Sequence, residues 1–227
     1  MQNSSFLPAA GIWYNPLMQN IFSEGQHNTA LSQSPAILPL ILAGGKGSRF
    51  GGQKKGLLQA GGKPFILQIT DTFKNAGFDE VLLSVDREDP YAFLQLPMVP
   101  DRYPECGPLG GIASAMESTA AGAYFTVACD MPFIRAEAIH KLLDQYMESG
   151  GIVLASDGAD FEPLFGIYPR FVLPEAKALL SEGICKTRQL FKRCGGTLVT
   201  FPGSELSFRN INTAEDYLHY LGQKTPL

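Results

Sequence analysis

Leu40-Ile41-Leu42-Ala43-Gly44-Gly45-Lys46-Gly47-Ser48-Arg49-Phe50-Gly51-Gly52-Gln53-Lys54-Lys55-Gly56-Leu57-Leu58 joins a short apolar run to a glycine-rich, cationic segment. Glycine lets backbone approach a ligand closely and take up positive φ. Backbone N–H groups freed in this way can ring a phosphate, and Lys46, Arg49, Lys54 and Lys55 add Coulomb attraction. A loop of this kind directly behind a strand reads as a nucleotide-phosphate site. It is neither of the two familiar phosphate loops. No Gly-Lys-Ser/Thr follows four spacers, and counting from Gly45 the sixth place of the dinucleotide fingerprint is Phe50. A glycine-rich surface turn with solvated lysines is the plain alternative, and the strand in front and the four cations weigh against it.

Outward from that segment the pattern alternates strand and helix. The first strand is expected over Leu40–Ala43, with Pro39 tolerated at its start. Phe65, Ile66, Ile69 and Phe73 recur at helical spacing after Pro64, and Gly77 ends that helix. Val81–Val85 reads as a strand, Pro108 opens a helix bearing Leu109, Ile112, Ala113 and Met116, and Tyr124–Ala128 is a strand running into Cys129-Asp130. Ile134 to Met147 marks an amphipathic helix stopped by Gly150-Gly151, and Ile152–Ala155 is another strand. Further on, Phe165–Tyr168 is extended, Pro174–Leu180 and Thr187–Arg193 are helical, and Leu198–Phe201 is a short strand. Thr213-Ala214-Glu215-Asp216 resembles a capping box, with Asp in place of the usual Glu or Gln. Repeated strand–helix units predict an α/β fold: a mostly parallel, Rossmann-like sheet with helices on both faces.

Composition sets outer limits. At 227 residues, 45% hydrophobic and 18% charged, one domain is expected over 36–222. Residues 1–35, rich in Asn, Gln, Ser and Pro, are expected to form a poorly ordered extension, the alternative being that the apolar cluster around Trp13 docks on the body or on a partner, and 223–227 a tail. That extension lacks the basic and apolar regions of a secretory signal. Net charge −4 argues against a nucleic-acid partner, and the apolar runs are too short to span a membrane. Cys106, Cys129, Cys185 and Cys194 show no metal spacing and fit a reduced, cytoplasmic setting.

In an open parallel sheet ligands sit beyond the carboxyl ends of the strands. The glycine loop, Asp101 and Asp130 all fall at such ends. Asp130 could hold Mg²⁺ beside substrate phosphates, or cap the following helix. Asp101 could accept from a base or ribose, or serve as a turn residue. Lys55 could stabilise a transferring phosphoryl group and Arg49 could clamp phosphate oxygens, each against the alternative of a solvated cation. Asn210 and Asn212 alternate in an extended segment and so point to one side, toward a substrate or toward backbone of the turn. Residue chemistry alone gives a domain that binds a nucleoside triphosphate with Mg²⁺ and transfers a nucleotidyl or phosphoryl group.

Leu42-Ala43-Gly44-Gly45, Arg49, Gly51-Gly52, Lys55-Gly56-Leu57-Leu58, Gly62-Lys63-Pro64, Asp101 with Gly107-Pro108-Leu109-Gly110-Gly111, Cys129-Asp130-Met131-Pro132 and Asn210-Ile211-Asn212-Thr213 stand in order along the chain. Together they resemble the MobA-like nucleotidyltransferases, the molybdenum cofactor guanylyltransferases above all, from about residue 40 to 220. The resemblance implies transfer of GMP from GTP to the terminal phosphate of molybdenum-loaded molybdopterin, with release of pyrophosphate. It implies that Leu42, Ala43, Gly44 and Gly45 hold the nucleotide, Lys55 touches phosphate, Asp101 the nucleoside, and Asp130 the Mg²⁺ cofactor. Two positions depart from the pattern. Ser84 stands near the place of a nucleotide-contacting asparagine, and Lys54 replaces an acid. The related cytidylyltransferases resemble Leu-Ala-Ala-Gly at this opening, so the resemblance sides Gly44 with guanine, a methyl there being expected to crowd a larger base. Acceptor molybdoenzymes or their chaperones are further candidate partners. A molybdopterin cytidylyltransferase, a sugar-1-phosphate nucleotidyltransferase, and a non-catalytic nucleotide-binding protein or cofactor chaperone are the alternatives.

Overall fold

The computed structural model describes residues 36–44, 54–86, 89–203, 208–213 and 215–217. The expected extension over 1–35, the tail, Gly45 and Arg49 lie outside these residues. Alternation with period two governs the first strand, β1 (Ile37–Leu42), in which every residue is buried. Ile37 and Ile41 face one core, Leu38, Leu40 and Leu42 the other. The strand starts earlier than the sequence suggests, so Pro39 sits inside it. On the β4 (Leu82–Val85) side pairing begins only at Leu40, while on the β6 (Ala123–Ala128) side Pro39 lies opposite Phe125. Proline is tolerated because one flank of β1 is still unpaired at that point.

A two-residue ribbon, β2 (Gln59–Ala60) with β3 (Lys63–Pro64), was not foreseen as paired strands. Gly61 and Gly62, at φ 62° and 76°, make its turn. Helices α1 (Phe65–Asn75) and α3 (Ala136–Ser149) cover one face, and Gly150 at φ 63° ends α3 as its spacing implies. Helices α2 (Gly107–Ser118), α4 (Leu173–Ser181) and α5 (Thr187–Cys194) cover the other.

With β5 (Met98–Pro100), β7 (Val153–Ser156), β8 (Phe161–Pro169) and β9 (Thr197–Thr200), the sheet has seven strands in the order β5-β4-β1-β6-β8-β7-β9. The strands β5, β4, β1 and β6 are mutually parallel, and β8 runs antiparallel to both β6 and β7. This reversal has a consequence for the site: β8 brings its amino end to the edge where its parallel neighbours bring their carboxyl ends. Among the described residues no helix is long and apolar enough to cross a membrane.

Candidate active site

Four neighbouring strands end together. Ala43 N donates to Ser84 O at 2.8 Å, Asp101 N to Val85 O at 2.8 Å, and Cys129 N to Leu42 O at 3.1 Å. These bonds tie the exits of β1, β4, β5 and β6 into one ledge. A cleft of about 860 Å³ opens over it, lined by Leu42, Ala43, Gly44, Lys55, Ser84, Asp101, Asp130, Asn210 and Asn212. Every described residue that the sequence offered as a catalytic or ligand-binding candidate therefore borders one cavity.

The Gly107-Pro108-Leu109-Gly110-Gly111 segment is explained by how closely α2 presses on that ledge. A Cβ on Gly110 would lie 2.9 Å from Tyr103 O and 3.1 Å from an Asp101 oxygen. On Gly111 it would lie 2.7 Å from Ser84 Oγ. Asp101 Oδ1 accepts from Tyr103 N at 2.8 Å and from Ser114 Oγ at 3.3 Å, which fixes the carboxylate at the start of the helix. It is a turn residue and a cleft residue at once. Ser84, 2% exposed, is held under Gly111 and still borders the cleft.

Lys55 stands in a 3-10 turn (Lys55–Leu57) whose Gly56 is buried against Ile66 and Cys129. Its ammonium donates to Asp130 Oδ2 at 2.9 Å and to Asn212 Oδ1 at 3.0 Å, drawing together positions 75 and 157 residues apart. The Lys55 and Asp130 side chains are 22% and 13% exposed, so the pair is shielded but open to a ligand. Asp130 does not cap α3: the N-cap of that helix is Arg135, which makes no side-chain cap bond. Nor do the two asparagines serve backbone of their own turn. Asn210 Nδ2 donates to Glu162 Oε2 at 3.2 Å, while the Asn212 oxygen takes the Lys55 proton. The turn is closed instead by Asp216, which accepts from Thr213 N at 2.9 Å while its own N–H meets Thr213 Oγ1 at 3.0 Å. That is the reciprocal box expected of the sequence, with Asp in the role of Glu.

The donor set suits a hard divalent cation. Among the described residues Asp130 Oδ1 and Asn210 Oδ1 are buried oxygens that accept no hydrogen bond, and Ile211 N donates to Asp130 O at 2.8 Å, fastening the two segments together. Among the described residues no cluster of three or more His, Cys, Asp or Glu side chains could cage a metal. An ion entering with substrate phosphates and held by one or two protein oxygens fits this arrangement, as magnesium sites commonly do.

Glu162, Leu164 and Asp86 are among the residues that escaped sequence reasoning. Glu162 and Leu164 come from the amino half of β8, which the carboxyl-end rule does not reach. Burial, together with the nearby Asp130 charge, raises the Glu162 carboxyl above its ordinary range. Asp86, just beyond β4, receives Lys54 on both oxygens at 2.7 Å. A carboxylate one step past a predicted strand end was the available signal. Cys129, 9% exposed beside Asp130, has its thiol pushed up to about 12 by burial, which disfavours the thiolate.

A mostly parallel sheet with Lys55 ion-paired to Asp130 at its strand ends fits the class of the nucleotidyltransferases. The profile described as MobA-like NTP transferase domain matches residues 39–197, and the chain belongs to that family. It is 31% identical over 182 residues to the molybdenum cofactor guanylyltransferase of Vibrio atlanticus (strain LGP32), covering 80% of this chain and 93% of that one. The protein of the same name from Serratia proteamaculans (strain 568) is 30% identical over 190 residues, 83% and 95% of the two chains. Among solved structures, molybdopterin-guanine dinucleotide biosynthesis protein A from Archaeoglobus fulgidus superposes with TM-score 0.67 at 23% identity, over 82% of this chain and 99% of that one. The 2-C-methyl-D-erythritol 4-phosphate cytidylyltransferase of Thermus thermophilus does so with TM-score 0.59 at 15% identity, over 81% and 96%. The fold is thus common to proteins named for different bases, and the choice of base must come from side chains.

Proposed function

We propose that this enzyme transfers GMP from GTP to the terminal phosphate of molybdenum-loaded molybdopterin, yielding the guanine dinucleotide form of the cofactor and pyrophosphate. The observation that carries the reading is the convergence of Lys55, Asp130 and Asn212 in the cleft above the ends of β1 and β6, in a chain whose relatives bear the guanylyltransferase name. An oxygen of the acceptor phosphate attacks the α-phosphorus of GTP, and the bond to the pyrophosphate oxygen breaks in line. Such a step needs positioning and charge neutralisation.

Leu42, Ala43 and Gly44, with Gly45, would hold the nucleotide through backbone. Asp101 and Ser84 would meet the nucleoside. Lys55 and Arg49 would neutralise phosphate charge, and Asn210 and Asn212 would flank the reacting groups. Asp130 would hold Mg²⁺, which when bound supplies positive charge to the phosphates. Lys55, already oriented by Asp130 and Asn212, needs no reorganisation to face a phosphate arriving beside it.

Pyrophosphate release tests this, using purified protein, Mg²⁺, molybdenum-loaded molybdopterin and either GTP or CTP. Release with GTP alone is expected. Release with CTP alone would make the enzyme a cytidylyltransferase, which the shared fold permits. Release with neither would leave a nucleotide-binding protein without transfer activity.

A further inference from the structure

We propose that Lys54 is an internal counter-ion to Asp86 and not a phosphate ligand, so that its pairing keeps the triphosphate arm of the cleft from turning acidic. The inference rests on the nucleotidyl-transfer reading of this cleft.

Lys54 and Lys55 are chain neighbours that point in opposite directions. Lys55 reaches over the exit of β6 to Asp130, and Lys54 reaches over the exit of β4 to Asp86, with β1 between them in the sheet. The Lys54–Asp86 pair differs from the ordinary ion pairs of this molecule. Its cation is only 12% exposed, whereas Lys63, Arg102, Lys177, Arg188 and Arg193 in their pairs expose between 37% and 57%. Both members line the cleft, and the ammonium takes both carboxylate oxygens at 2.7 Å. A cation so covered is costly to bury unless it is matched by a charge at close range.

The charges around the cleft give the pair its meaning. Among the described residues its lining holds the acids Asp86, Asp101, Glu105 and Asp130 against the cations Lys54 and Lys55. Lys55 is engaged with Asp130, so an unmatched Asp86 would set a bare carboxylate in the wall of a site meant for a polyanion. Lys54 cancels it. Lys54 O also accepts from Leu57 N at 2.9 Å, so the same residue anchors the turn that aims Lys55. Cancellation and aim are thus joined in one position of the chain.

The sign of each substitution separates this role from the alternatives. Equilibrium binding of Mg·GTP, or of Mg·CTP if that is the nucleotide the wild type prefers, is measured on the full chain at low ionic strength. Lys54→Met exposes Asp86 to the triphosphate and weakens binding by about tenfold, the scale of one partly screened unit charge. Asp86→Asn takes one negative charge from the cleft wall and tightens binding by a few fold. The double variant Lys54→Met/Asp86→Asn has the wild-type net charge and returns to within about threefold of wild type. Lys54→Arg keeps the wild-type value. All differences shrink in high salt, which a packing defect would not do. If Asp86→Asn weakens binding, or the double variant binds no better than Lys54→Met, the counter-ion role is overturned: Lys54 then grips phosphate itself or serves only as a strut. Wild-type protein that binds neither nucleotide overturns the nucleotide reading as well, and that failure is recognised because it appears before any substitution.

Discussion

Asp130 carries two duties with its two oxygens. One accepts Lys55, and the other is buried without a hydrogen-bond partner among the described residues, which suits it to a cation. Asp130→Asn preserves shape and removes the charge that both duties require. We expect the variant to melt near the wild-type temperature and to release pyrophosphate at least about a hundredfold more slowly, the cost typical of losing one preorganised electrostatic contact. Unchanged turnover would remove Asp130 from the reaction. Gly44 is the residue from which the proposed guanine preference is read. A Cβ there would have Asp86 N as its nearest neighbour at 3.8 Å, an ordinary contact. Among the described residues there is therefore room for a methyl, and an effect of Gly44→Ala is expected to fall on the ligand. The expected result is an unaltered melting temperature with the GTP-to-CTP ratio of kcat/KM lowered by about tenfold, the discrimination one methyl-sized group can supply. A variant that keeps its guanine preference would place base selection elsewhere in the cleft.

At the scale of elements, α2 shows how a helix is made to serve a site. Pro108 starts it, Gly110 and Gly111 bring it onto Asp101 and Ser84, and at its far end Glu117 joins it to two other segments. Glu117 accepts from Lys177 of α4 at 2.7 Å and from Tyr103 OH at 3.1 Å, and these partners, Lys177 foremost, hold its carboxyl below the ordinary glutamate range. The sign follows from linkage: an acid whose folded pKa is depressed contributes stability above its unfolded value of about 4.3 and loses it as pH falls through the folded pKa. Wild type should therefore outlast Glu117→Gln at neutral pH by at most about 1 kcal/mol, Lys177 being half exposed. Thermal melts at about pH 7 and about pH 3 check this, and a gap that does not narrow in acid would show that Glu117 acts through packing alone. The elements legible in the sequence were those with a strong period: α1, α3 and the buried strands β1, β4 and β6 announce themselves by apolar spacing. Short elements held by tertiary pairing did not. Met98–Pro100 is a strand because Leu83 and its neighbours on β4 pair with it, and nothing in three residues can signal that alone.

On the whole-molecule scale, sheet polarity divides the cleft. The parallel half, β5-β4-β1-β6, contributes Leu42, Gly44, Ser84, Asp101 and Asp130, the residues whose place at strand ends could be read from the sequence. The antiparallel strand β8 contributes Leu164 from its amino half, and Asn210 is tied to that strand through Glu162. This second wall was harder to read because strand direction is decided by partners distant in the chain: Thr126 meets Gly166, and Val153 meets Ile167. A two-walled cleft gives two substrates separate surfaces, and the proposed reaction assigns the nucleotide to the wall that holds Leu42, Ala43 and Gly44. The acceptor is then left with the β8 wall, where Leu164 offers an apolar surface. Leu164→Ala should leave the dissociation constant of Mg·GTP within about threefold of wild type. It should raise the acceptor KM by about tenfold, the effect of trimming a hydrophobic contact worth about 1–3 kcal/mol. Steady-state pyrophosphate release at varied acceptor, set beside equilibrium nucleotide binding, separates the two quantities. A variant that loses nucleotide affinity while keeping its acceptor KM would reverse the assignment of the walls and put the acceptor over β4 and β5.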